Sequence, residues 1–154
     1  MFRWKRKADD GRDEMNRDPI WYRAMEGDTT ALRRRLDDGF DVNHADRDGM
    51  TMLAVAVHYG RSATVELLIE RGADVNLPDR HGNGPLWVAT REAIQAPPDG
   101  RPSYGKSIVA KLLAAGADPD HRNKAGRTPP GWADGASDVQ VIYREAGYRG
   151  DFSL

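Results

Sequence analysis

Apolar residues in this chain come in short stripes that stop at glycine, and the stripes recur. Between Asp46 and Asn76 a polar turn leads into Leu53, Val55, Ala56 and Val57, with a break at Gly60. A second stripe of Val65, Leu67, Leu68 and Ile69 stops at Gly72. Recurrence every three to four residues predicts two short helices that bury one face each. Thr51 and Ser62 stand where N-caps are expected, and Gly60 and Gly72 where helices end. Gly39, Gly72 and Gly116 each follow an apolar run, with Asp41, Asp74 and Asp118 two places on. Gly39 to Gly72 is 33 positions (72 − 39), and Gly49 to Gly82 is again 33 (82 − 49). A fixed period of that length predicts stacked supersecondary units.

The units can be placed along the chain. Residues 1–18 are almost wholly polar and are expected to form a flexible charged tail, Phe2 and Trp4 excepted. Asp18 can cap a helix opening at Pro19 and running to about Glu26, broken by Gly27. Thr29 to Asp37 follows, with Ala31, Leu32 and Leu36 inward and Gly39 as its stop. Arg33, Arg34 and Arg35 are read as the polar outer face of a terminal repeat. In the third unit the period lengthens: Gly72 to Gly116 is 44 (116 − 72), an excess of 11. The excess falls in Gln95 to Lys106, whose prolines and glycines predict a loop inserted between two helices. Ser107 to Ala115 resumes with Ile108, Val109, Leu112 and Leu113 inward. In the fourth unit Pro130 and Gly131 weaken the first helix. Ser137 with Gln140 suggests a capping box for the last, with Val141, Ile142 and Tyr143 as its apolar contacts.

The motifs resemble those of the ankyrin-repeat proteins. Asp46, Gly49, Thr51, Leu53 and Ala56 match the opening of that repeat; Val65, Leu68, Gly72, Ala73, Asp74, Val75 and Asn76 match its close. Gly82, Pro85, Leu86 and Ala89 match in the third repeat, as do Gly116, Ala117 and Asp118, and Gly126, Thr128, Pro129 and Ala133 in the fourth. The resemblance covers about residues 19–147. It implies an all-α ankyrin-repeat solenoid of about four helix–turn–helix repeats with short β-turn fingers. The repeats are set at about 19–45, 46–78, 79–122 with the insertion at 95–106, and 123–147, leaving 148–154 as a C-terminal tail. The histidine by which the family ties neighbouring turns is replaced by Ala54, Trp87 and Gly131, with Trp21 at the matching point of the first repeat. The usual turn network is therefore in doubt.

Composition narrows the chemistry. The chain carries 23 basic and 24 acidic residues, a net charge of −1, and no cysteine. No global field draws it to nucleic acid or membrane, and thiol chemistry is excluded. No apolar run approaches the ~20 residues of a membrane span, and MFRWKRKADD lacks the apolar core of a secretory signal. A cytoplasmic location is the expectation. Gly100 to Ser107 fits G-x-x-x-x-G-K-S, but the phosphate loop needs a strand before it, and here Pro97 and Pro98 follow an amphipathic helix. The segment is read as a surface loop, with nucleotide binding as an alternative. His44 and His121 share a register two repeats apart, roughly 20 Å at the usual helix spacing, too far to share a metal ion. Asn43, Asp46 and Asp48 are read as turn residues and not as a calcium loop. No catalytic arrangement stands out, so no enzyme activity, cofactor or metal is expected.

By resemblance, binding falls on turn tips, the exposed side of the first helix of each repeat, and the concave surface of the stack. Those positions are Arg47, Asp48, Met50, His58 and Tyr59; Arg80, His81, Asn83, Trp87, Arg91 and Glu92; Lys124 and Arg127; and Arg101 and Tyr104 on the inserted loop. Trp87 is equally suited to filling the space left by the missing histidine. The expected partner is a protein and not nucleic acid or membrane, bound by a chain that is monomeric when free. The resemblance extends to small ankyrin proteins that act as immunity proteins against a cognate toxin; a regulatory adaptor for a cellular enzyme is the alternative.

Overall fold

The computed structural model describes residues 11–95 and 104–153. Eight helices lie among them, and the chain separates into two compact units that meet between Ala73 and Asp74. The first unit holds α1 (Pro19–Glu26), α2 (Thr29–Asp37), α3 (Met52–His58) and α4 (Ser62–Glu70). The second holds α5 (Pro85–Ile94), α6 (Gly105–Ala114), α7 (Pro129–Trp132) and α8 (Ser137–Glu145). Both units are built alike. Three of the four hairpins pack as pairs, α1 on α2, α3 on α4 and α5 on α6; first helices pack on first helices (α1 on α3, α5 on α7), second on second (α2 on α4, α6 on α8). The fold is all-α, as the stripes predict.

The local chemistry explains the helix limits. The Asp18 carboxylate accepts from Ile20 N–H, and Pro19 takes the first helical position. Thr51 Oγ1 accepts from Ala54 N–H at 3.1 Å, and Thr128 caps the four-residue α7 in the same way. Every residue of α3 from Met52 to Val57 is buried, so this helix is apolar all round and lies inside its unit. Each of its larger side chains contributes about 1.5–3 kcal/mol by leaving water. In α2 only Leu32 is fully buried; Ala31 and Leu36 are half-covered, and Arg33 to Arg35 face solvent.

Several expectations need correction. Ser62 and Ser137 are the first residues of their helices and not caps; Arg61 and Ala136 precede them, and neither helix has a side-chain cap. Gln140 Nε2 donates instead to Ala133 O at 3.0 Å. On α8 the inward residues are Val139 and Tyr143, while Val141 is exposed. Helix α6 begins at Gly105, inside the segment read as loop, because a bare glycine lets it lie against α5: a Cβ there would meet Ala93 N at 2.3 Å. Within residues 148–153 one side chain is buried. Phe152 is buried, with its ring 6.0 Å from Tyr143 and 5.5 Å from Tyr148.

The largest departure is at residues 11–18, expected to be flexible and instead an ordered finger. Asp13 N–H bonds Arg17 O, and its carboxylate accepts from Met15 and Arg17 N–H, both at 2.9 Å. Asp46 builds the same turn with Asp48 and Met50, and Asp79 with His81 and Asn83. Asn16, at φ +63, holds the left-handed position that Gly49 and Gly82 take in the later fingers. Residues 1–10, with Phe2 and Trp4, lie outside the described residues.

Candidate protein-binding site

The fingers within each unit are zipped together through their backbones. In the first, Arg47 N–H donates to Met15 O at 2.9 Å. His44 Nε2 lies 2.9 Å from Asn16 O; a carbonyl only accepts, so this nitrogen carries the proton. In the second, Lys124 N–H donates to His81 O at 3.0 Å, and His121 Nε2 lies 2.9 Å from Gly82 O. Asn123 Nδ2 adds a bond to Asn83 Oδ1 at 2.9 Å. A Cβ on Gly82 would come within 2.9 Å of Lys124 N, so this approach needs both the positive φ and the missing side chain. The turn network that the missing histidines put in doubt is thus rebuilt by His44 and His121, whose Nε2 atoms are committed to it.

The two substituted tryptophans belong to the interior. Trp21 is buried, donates from Nε1 to Met50 O at 3.0 Å, and carries the Arg17 guanidinium 4.5 Å from its ring. Arg17 also pairs at 2.9 Å with Asp46, whose carboxylate is almost wholly buried. Trp87 is buried as well, and its Nε1 meets no acceptor among the described residues. Its ring lies against Trp132, with centroids 5.3 Å apart and planes tilted by 39°. Trp132 had drawn no attention in the sequence, because it follows Pro129, Pro130 and Gly131 in the most eroded repeat.

The remaining proposed contacts divide by unit. In the first, Arg47 is exposed at a finger tip while Asp48 and Met50 are half-buried and bonded to Asp46. His58 and Tyr59 are exposed at the end of α3, their rings 5.0 Å apart and edge-on. In the second, Arg80, His81, Lys124 and Arg127 are exposed on the zipped fingers, and Asn83 is spent in the zipper. Arg91 and Glu92 pair at 2.8 Å on α5. Tyr104, 57% exposed at the start of α6, covers no core. Arg101 lies outside the described residues.

Two polar clusters show strong electrostatics. Burial raises the Asp13 carboxyl, but hydrogen bonds from Tyr22 and from two backbone N–H groups outweigh it and leave the pKa lowered. The Tyr22 hydroxyl is pushed up to about 12 by burial and by its bond to Asp13. Lys106 pairs with Asp138 and holds that carboxyl below its ordinary value. Residues 100–103 of the phosphate-loop spacing lie outside the described residues; of the rest, Lys106 is tied to a carboxylate and Gly105 lies against α5.

A family model described as ankyrin repeats (many copies) matches residues 36–89. The chain is an ankyrin-repeat protein. It is 40% identical over 75 residues to an ankyrin repeat-containing protein of Schizosaccharomyces pombe, covering 49% of this chain and 36% of that one. It is 34% identical over 120 residues to an ankyrin repeat-containing protein of Treponema pallidum, covering 77% of this chain and 37% of the other. The E3 ubiquitin-protein ligase Ufd4 of Drosophila melanogaster shares 36% identity over 127 residues, 78% of this chain and 4% of the ligase. This chain therefore spans less than two fifths of the length of each of these three relatives. Ankyrin repeats form protein–protein interaction modules, generally without catalysis, and this chain carries such a module. Among the described residues no helix is long and apolar enough to cross a membrane.

Proposed function

We propose that the chain is a non-catalytic recognition module, monomeric when free, that holds a protein partner against its concave face and finger tips, the neighbouring first-helix side chains, and Tyr104 from the inserted segment. The observation that carries this reading is the backbone zipper of the second unit. It fixes Arg80, His81, Lys124 and Arg127 on a frame that need not order itself on binding, which removes one of the main costs of association. Arg, Trp and Tyr, the residue types that concentrate binding energy at interfaces, surround it. A stoichiometric complex with a toxin and one with a cellular enzyme are the two partner classes carried over from the family resemblance.

The test is affinity capture from the native cell with the intact chain, followed by mass spectrometry. A stoichiometric protein partner is expected, and its identity separates toxin from enzyme. Tyr104→Ala and Arg80→Ala should weaken capture while leaving the melting temperature nearly unchanged, because neither side chain fills a core. Recovery of no stoichiometric protein would overturn the proposal.

A further inference from the structure

The last finger departs from the others in its turn-forming residue. Asp13, Asp46 and Asp79 each accept two backbone N–H groups through one carboxylate oxygen. Asn123 does the same with its amide oxygen, from Ala125 and Arg127, both at 3.0 Å. The amide brings what a carboxylate lacks, an Nδ2 donor. That donor is spent across the zipper on Asn83 Oδ1 at 2.9 Å. The turn of this finger needs only the oxygen; the nitrogen serves Asn83.

Asn83 is the one asparagine in the sequence that precedes a glycine. Glycine has no side chain to screen its nitrogen from the residue before it. Among the described residues no acceptor takes the Gly84 N–H. The Asn83 backbone is fixed instead by Asp79, through Asn83 N–H to Asp79 Oδ1 at 2.9 Å and Asp79 N–H to Asn83 O at 3.0 Å. An unbonded nitrogen thus directly follows a half-buried side-chain amide, and that amide is oriented by its contact with Asn123.

We infer that Asn83 is a site of spontaneous covalent modification, deamidation through a ring closed with Gly84, and that the Asn123 amide guards it. Asparagine is among the thermolabile side chains. The Gly84 nitrogen gives up its proton and bonds to Asn83 Cγ. The bond from Cγ to the side-chain nitrogen breaks, and that nitrogen leaves as ammonia. Water then opens the cyclic imide at either carbonyl, giving aspartate or isoaspartate at position 83. The aspartyl product sets a second carboxylate in a turn built around that of Asp79. The isoaspartyl product lengthens the main chain by one carbon just before Gly84, whose carbonyl accepts from Trp87 and Val88 N–H at the start of α5. While Asn123 holds Oδ1, the Asn83 amide is kept from turning toward the Gly84 nitrogen. Opening of the zipper releases it.

The test keeps the purified full chain warm at mildly alkaline pH for several weeks. Peptide mass spectrometry then follows conversion of amide to acid at each asparagine. Asn83 should convert ahead of Asn16, Asn43, Asn76 and Asn123, to a mixture of aspartate and isoaspartate. Gly84→Ala should slow the conversion several-fold. Gly84 sits at φ −80, and an added Cβ would meet only Asn76 O at 3.9 Å, so this variant keeps the fold. Asn123→Asp keeps the oxygen that closes the turn and removes the Nδ2 donor, and it should speed the conversion several-fold. Circular dichroism checks that each variant folds. If Asn123→Asp does not, Asn123→Ser replaces it, since a serine hydroxyl also closes such turns. Faster conversion at another asparagine, no conversion at Asn83, an unchanged rate in Gly84→Ala, or an unchanged rate in the Asn123 variant would each overturn the inference.

Discussion

Trp21 and Trp87 occupy matching places in two repeats and are both buried, yet their indole N–H groups fare differently. Trp21 donates to Met50 O, whereas Trp87 Nε1 is buried without an acceptor among the described residues. A buried donor left unmade costs about 1–3 kcal/mol. Trp87→Phe removes that penalty along with part of the ring, so its net cost should be small. Trp21→Phe loses ring volume and the hydrogen bond to Met50 O, which is left with the Asp46 N–H as its donor. Urea unfolding of the two variants should show Trp21→Phe the more destabilised, by about 1 kcal/mol or more. Equal losses would show that the indole N–H groups do not decide the difference. Substitution of a large aromatic for histidine was legible in the sequence at both positions. Its direction was not, since an indole can fill an interior or meet a partner, and only the placement of Met50 O and Trp132 separates the cases.

Glycine patterning located the helices well, because a left-handed stop depends on one residue and its immediate neighbours. Gly27, Gly39, Gly60 and Gly72 all take positive φ where the sequence predicts a break. Gly105 is the exception. It was counted among loop residues, but its use is to let α6 approach the backbone of α5, a contact made with residues twelve and more positions away (105 − 93). Gly105→Ala should drive the two helices apart and cost about 1–3 kcal/mol, as overpacking does, read as a lowered denaturation midpoint. An unchanged midpoint would mean that the helices give way freely. The Asp13–Arg17 finger was misread for a related reason. Its polarity suggested disorder, yet a β-turn finger is ordered by hydrogen bonds to the carboxylate and backbone and needs little apolar burial. The clue was present: Asp13 to Asp46 and Asn16 to Gly49 are both 33 positions (46 − 13, 49 − 16).

For the molecule as a whole, the first finger makes stability depend on pH at both extremes. The lowered Asp13 carboxyl contributes stability above its unfolded value of 3.8, and this is lost as pH falls through the folded value beneath it. The Tyr22 hydroxyl is raised from 10.0 to about 12, so its contribution is complete below pH 10 and is lost as pH rises toward 12. Thermal unfolding followed across that alkaline window should show a falling midpoint. Tyr22→Phe should flatten part of the fall, with Tyr143 and Tyr148, also raised by burial, supplying the remainder. A midpoint that holds steady to pH 12 in the wild type would contradict this assignment.

The period, the helix pairs and the family were all readable from residue order, because each depends on local backbone preference repeated at a constant spacing. Which polar residues would be ordered, which aromatic would be interior and which glycine would mark a contact depended on groups brought together from distant parts of the chain. Arg17 meets Asp46, His121 meets Gly82, and Trp87 meets Trp132 across separations of 29, 39 and 45 positions (46 − 17, 121 − 82, 132 − 87). Spacing along the chain sets where a helix begins and ends. The partner that a side chain finds is set by packing, and packing exists only once the repeats have stacked within their unit.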